Sequence, residues 1–277
     1  MQKKAIIFLI MTAMILVFSQ EDYICWEQTY SSEDLYRDEA LSVTELSTGN
    51  YAVAGYYGIE IPGGQNTTYC QLNLLDPLGN LIWELPYIDE ARGSSFKDVE
   101  ESTDGNIITF KSTLLSATSG YQYGLELFKI GLEGNIIWRK LYKHKWSLMP
   151  EAFTKTSDGG FAICGYTELT DSTKAGIVMR LDENCDSLWT TEVEISGDYG
   201  SLKSIACTKN NELVAAGYQA NDERSVDTWI VKLDSTGTIL FDLESGDSTV
   251  ADDYFAVCYE AARPSDASAG PTEAGLR

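Results

Sequence analysis

Histidine is almost missing from this chain: His144 is the one copy in 277 residues. A Ser-His-Asp relay would have to run through it, and no Gly-x-Ser-x-Gly elbow accompanies it. A zinc site is not expected either, because the six cysteines contain no pair at ligand spacing. Basic residues are also scarce, with 20 Lys and Arg against 42 Asp and Glu and a net charge of −22. A surface of that sign repels nucleic acid and anionic lipid, so neither is an expected partner. Apolar stretches are short. The longest, Ala5 to Phe18, is interrupted by Thr12 and falls below the length of a membrane span. Beyond it, no window of ten or more residues keeps a helical period.

That one apolar stretch follows the basic residues Lys3 and Lys4 and precedes a small-residue cut site before Gln20. Residues 1–19 therefore read as a secretory signal peptide, the alternative being an uncleaved anchor. Cleavage leaves a chain with no membrane span, expected in secreted form or at the cell surface. Export would permit Cys25, Cys70, Cys164, Cys185, Cys207 and Cys258 to oxidise. Their spacing is irregular, so one or two disulfides and buried single thiols both remain open.

What the sequence has in abundance is repetition. Leu75-Asp76-Pro77-Leu78-Gly79-Asn80-Leu81-Ile82-Trp83 returns as Ile130-Gly131-Leu132-Glu133-Gly134-Asn135-Ile136-Ile137-Trp138. It recurs, degraded, over residues 181–189 ending in Trp189, and again over 233–241 ending in Phe241. A second motif alternates with it: Gly49-Asn50-Tyr51-Ala52-Val53-Ala54-Gly55-Tyr56, with further copies at 103–108, 157–166 and 209–218. Two independent motifs sharing one period of about 50 residues mark a repeat architecture.

Each unit reads as four strands. Gly, Asn and Asp at both motifs supply the positive φ that tight hairpins need. The run after the first turn, such as Phe161 to Tyr166, is continuously apolar, as in a strand buried on both faces. The predicted fold is an all-β propeller of four-stranded antiparallel blades, with about four complete blades and partial strands at both ends. The recurring Trp or Phe is expected to fill space between neighbouring blades. Complete units are expected over 41–87, 96–142, 151–194 and 202–243. Cys25 to Tyr30 resembles a lone fourth strand, and Asp253 to Glu260 a lone first strand. The propeller domain is placed at 20–261 and a disordered tail at 262–277, where aromatics and strand pattern stop together. That abrupt change suggests a native frame ending near Ala261 in a longer propeller.

The Leu-Asp-x-x-Gly-Asn-x-x-Trp and Asp-Gly-Asn/Gly motifs resemble those of secreted bacterial propeller repeats common in Bacteroidetes-like proteins. That resemblance implies surface exposure and a binding or adhesive role. More distantly, the Trp-ending motif resembles the docking repeat of quinoprotein dehydrogenases. Its Asp-to-Gly spacing is one residue shorter than in that repeat, and the resemblance places none of the residues with which those enzymes hold pyrroloquinoline quinone and calcium, so no cofactor is assigned. Ser157-Asp158-Gly159-Gly160 shares part of the Asp-box of sialidases but lacks the Thr-Trp that completes it.

No catalytic set stands out, and paired acids such as Asp89-Glu90 are expected by number alone in so acidic a chain. Strand alternation puts the short repetitive turns on one face, and the longer loops and inter-unit links on the other. Variable loops on a rigid scaffold are where binding resides. Tyr57, Arg92, Tyr121, Trp146 and Tyr199 are the binding candidates on that face. Trp146 sits in Lys143-His144-Lys145-Trp146, the one basic spot, which reads as a solvated strand end or, alternatively, as a place for an anionic or sugar ligand. The expected function is a non-enzymatic extracellular scaffold for a protein or polysaccharide. The alternatives are a glycan-active enzyme or a quinone-dependent oxidoreductase. A funnel of converging acids with a base would favour the enzyme.

Overall fold

A computed structural model describes residues 37–61, 65–88, 93–117, 121–168, 174–197, 199–222 and 225–245. Those residues form sixteen strands, and no helix occurs among them. The first blade contains β1 (Arg37–Glu45), β2 (Tyr51–Ile61), β3 (Gln65–Leu75) and β4 (Leu81–Tyr87). The second contains β5 (Asp98–Glu101), β6 (Ile107–Ser116), β7 (Gln122–Ile130) and β8 (Ile136–Tyr142). The third contains β9 (Leu148–Lys155), β10 (Phe161–Glu168), β11 (Lys174–Leu181) and β12 (Ser187–Glu194). The fourth contains β13 (Tyr199–Cys207), β14 (Leu213–Asp222), β15 (Ser225–Leu233) and β16 (Ile239–Ser245). Every sheet is an antiparallel meander in chain order. The first strands β1, β5, β9 and β13 neighbour one another in that sequence, so they lie innermost. Over the described residues the architecture is a β-propeller with four four-stranded blades.

The repeat motifs act where they were expected to. Each Leu-Asp turn closes with two backbone bonds, as in Asp76 N–H to Asn80 O and Gly79 N–H to Asp76 O, with Gly79 at φ 80°. The Asp76 carboxylate accepts the Leu78 and Asn80 amides, each at 2.8 Å. Asp182 and Asp234 repeat this pattern. The aspartate thus supplies the side-chain half of an Asx turn.

The closing aromatics hold blade to blade. Trp83 packs in the core shared by the first two blades and donates its Nε1–H to Leu132 O in the next blade's turn at 2.7 Å. Trp189 does the same to Ser235 O at 3.1 Å. Trp138 packs on the core between the second and third blades, where Tyr142 donates to Cys185 O. Three apolar cores therefore fill the three interfaces between consecutive blades. On the outer sides, Val43 is 62% exposed and Phe241 45%. Their counterparts Val99, Phe153 and Ile205 on the inner strands are buried, and Trp83, Trp138 and Trp189 are packed on those cores.

Blade limits differ from expectation by a few residues, because backbone pairing continues past the apolar runs that defined the strands in sequence. Cys70, Cys164, Cys185 and Cys207 are free thiols, the first three buried. The leader, the segments 25–30 and 253–260 and the tail 262–277 lie outside the described residues.

Candidate functional site

Two places gather chemistry: the innermost strands and the loop face.

The inner strands of three blades carry a bulge at one register, at Leu41, Glu151 and Lys203. An extra residue in one strand re-aims its side chain. Glu151 is held by Lys97 at 3.1 Å and Lys203 at 2.9 Å, an ion ladder running across the second, third and fourth blades. One residue beyond Lys97, Asp98 accepts Ser42 Oγ–H at 2.5 Å, the Phe153 amide at 3.0 Å and the Val99 amide at 2.9 Å. It joins three blades, and burial raises its pKa against the pull of those bonds. Glu100, two residues on towards the short-turn face, is pushed up to about 7, by burial first and by the Asp98 charge second. Glu39 accepts Tyr56 Oη–H at 2.5 Å and pairs with Arg37. Acids and bases do converge at the axis, but Asp98 and Glu151 are engaged between blades. Sequence reasoning passed over this set. Lys97, Glu151 and Lys203 recur one period apart, which was the available signal.

The glycine of each Gly-Tyr pair makes this inner register fit. A Cβ on Gly55, Gly165 or Gly217 would lie 2.0, 2.1 or 1.9 Å from an inner-strand carbonyl oxygen. The second blade has Lys111 instead. There the chain ahead of β5 bonds its own blade only from Lys97 N–H to Phe110 O, and Phe96 N–H bonds Gly55 O of the first blade instead. Lys111 is buried in the space, 3.5 Å from Glu126 and over the Tyr87 ring.

On the loop face, the link between the second and third blades is pinned from both sides. Gln122 Nε2–H donates to His144 O, and the Tyr123 amide to Ser147 Oγ. From the third blade, the Glu168 amide and Thr167 Oγ1–H donate to Ser147 O at 3.1 and 2.8 Å. Thr167 Oγ1 also meets His144 Nδ1 at 3.1 Å. His144 Nε2 lies 3.0 Å from Glu192, and Lys145 Nζ 3.8 Å from the same carboxylate. Trp146 and Tyr121 both stand exposed next to these anchors, with Lys143 and Lys145 also exposed. Sequence-distant Tyr121 and Trp146 are thus brought to neighbouring, tethered segments.

The other candidates separate. Tyr57 is not a loop residue: β2 continues to Ile61, and Tyr57 pairs with Tyr69, half-buried, ring centroids 5.7 Å apart. The extended hairpin needs only backbone bonds, so polar residues there did not end the strand. Tyr199 opens β13 opposite Ala220, half-buried, its ring edge-on to Tyr218. Arg92 lies outside the described residues.

No protein-family model matches the chain, and no curated protein matches it in sequence. Among solved structures, an alpha-L-arabinofuranosidase from Clostridium thermocellum is similar over 76% of this chain and 74% of that one, at 13% identity and TM-score 0.43. A luciferin-regenerating enzyme matches over 77% and 78%, at 10% identity and TM-score 0.41. A eukaryotic initiation factor matches over 76% and 55%, at 13% identity and TM-score 0.36. Likeness at this level says nothing of activity.

Proposed function

We propose that this protein is an extracellular binding propeller that engages its ligand on the loop face, through Tyr121, Trp146 and the lysines beside them. The observation that carries the reading is the link 143–147, fixed by hydrogen bonds to two blades while its aromatic and cationic side chains stay exposed. Rigid aromatic side chains bind with little loss of rotamer freedom, which suits a recognition surface. The leader pattern and the resemblance to secreted bacterial repeats support an extracellular location. The test is binding of the purified chain to a panel of surface polysaccharides and extracellular proteins. Trp146→Ala and Tyr121→Ala should each weaken capture at least tenfold, while Leu78→Ala on the short-turn face leaves it unchanged. Equal capture by all three variants refutes the reading.

A second reading rests on Glu100. Burial on the inner strand and the nearby Asp98 charge push Glu100 up to about 7, the environment of a general acid, so a glycan hydrolase with Glu100 as its acid is the enzymatic alternative. Release of reducing sugar from the same polysaccharides, lost in Glu100→Gln, would favour it.

A further inference from the structure

We infer that the ligand of this loop face is an anionic polysaccharide, one whose sugar rings carry carboxylate or sulfate groups. The inference rests on the binding reading above and narrows it to a chemical class. Its first ground is charge. In a chain of net charge −22, Lys143, His144 and Lys145 stand in one run, beside exposed Trp146. Several other cations are paired within the fold. Lys140 is tied to Asp186 and Asn184 O, Arg139 to Tyr87 and Glu126, and Lys129 to Asp104. At the link, His144 lies 3.0 Å from a Glu192 carboxylate oxygen, and Lys145 stands back from that same oxygen at 3.8 Å with its side chain 65% exposed. Lys143 and Lys145 are both exposed, on a molecule that as a whole is negative.

The second ground is shape. Hydrogen bonds from Gln122, Thr167 and Glu168 to the link backbone, and from the Tyr123 amide to Ser147 Oγ, hold the link between two blades, so Trp146 is presented from a fixed base, with Tyr121 beside one anchor. Flat, amphipathic rings present an apolar body with a polar tip, which matches the apolar faces and hydroxylated rim of a sugar ring. Cations on the same segment then choose among sugars, since an acidic group on the ring meets an ammonium rather than water. An acidic polypeptide would satisfy the lysines but offers no ring faces to Trp146 and Tyr121. The combination therefore favours glycan over protein.

The acidity of the rest of the surface adds a signature. At low ionic strength a polyanion feels the whole negative molecule. Near physiological salt the Debye length is about 8 Å, and only charges close to the contact count. Binding should accordingly be strongest at intermediate salt and weaken on either side, unlike the steady decline seen for a uniformly basic surface.

The experiment uses the full chain and four probes: polygalacturonate, a sulfated galactan, neutral galactan and poly-glutamate, with affinity measured from 10 mM to 1 M NaCl. The expected result is that the two anionic glycans bind at least tenfold more tightly than the others. A Lys143→Glu, Lys145→Glu double variant should lose that preference while keeping the wild-type melting temperature. Trp146→Ala should weaken every glycan that binds. Neutral galactan binding as well as polygalacturonate overturns the charge inference and leaves the binding reading standing. Poly-glutamate binding as well as the anionic glycans overturns the glycan assignment. If no probe binds, and the wider panel also fails, the inference and the binding reading fall together.

Discussion

Replacing Gly217 with alanine should damage this fold far more than the same change at Gly105, although Gly105 has the stranger backbone. Gly217 sits in β14 with φ outside the left-handed region, and its Cβ would lie 1.9 Å from Ser201 O and 2.7 Å from Leu202 Cα. To reach even a tight contact, the inner strand must retreat by roughly 1 Å into a close-packed interior. Leu202 is buried in the core between the third and fourth blades, so the retreat strains that core as well. Overpacking of this kind costs about 1–3 kcal/mol. One or two strained β13–β14 backbone bonds add about 1 kcal/mol each. The expected total is about 2–5 kcal/mol, a fall in Tm of roughly 4–20 °C for a chain of this size. Gly105 is at φ +78° with nothing within 4 Å of the added Cβ. Alanine there carries only left-handed strain, about 1 kcal/mol. Urea unfolding followed by tryptophan fluorescence, with thermal melts alongside, measures both variants. A Gly217→Ala loss below 1 kcal/mol, or a larger loss at Gly105, would refute the claim that this motif glycine is kept for space between strands.

The remaining predictions concern titration and thiols. Burial raises Glu100 from 4.5 to about 7, so above pH 7 the native state bears a buried charge that the unfolded chain solvates freely. As pH falls from 7 towards 4.5 the native state takes up a proton the unfolded state does not, and stability is regained. Glu100→Gln should therefore be the more stable protein at pH 8, by an amount on the order of 2–3 kcal/mol, and lose that advantage by about pH 4.5. Urea midpoints at pH 5, 6, 7 and 8 check this, and a constant difference between the two proteins contradicts it. Among the four described cysteines, Cys207 is the least enclosed. Burial raises the Cys164 thiol and pushes Cys185 up to about 12. Maleimide labelling of the native protein read by mass spectrometry should modify Cys207 before Cys70, Cys164 and Cys185, and labelling of Cys164 at the same rate would show that the blade interface opens readily.

Much of the architecture could be read before any coordinates. The Gly-Asn turns, the apolar second strands and the Trp-ending motif are local devices, each working over fewer than ten residues and repeated with one period. Blade number, strand order and the space-filling role of Trp83, Trp138 and Trp189 followed from them. Strand limits were harder. The repeat motif ends at Tyr56 and so puts Tyr57 in a loop, whereas the ladder runs on to Ile61 through backbone bonds that the motif does not encode.

The sites divide along the same line. Tyr121 and Trp146 were visible singly, as aromatics outside the repeat. Only the folded chain sets their segments side by side, through Gln122 and Tyr123 reaching the link. The Lys97–Glu151–Lys203 ladder and the raised Glu100 belong wholly to tertiary structure. Each of these residues comes from a different period or depends on burial by another blade, and burial and charge proximity are properties of distance in space. Sequence determined the blade because hydrogen-bonded hairpins are local. The meeting of blades decided the chemistry, because electrostatics and desolvation act between residues that the chain keeps some fifty positions apart.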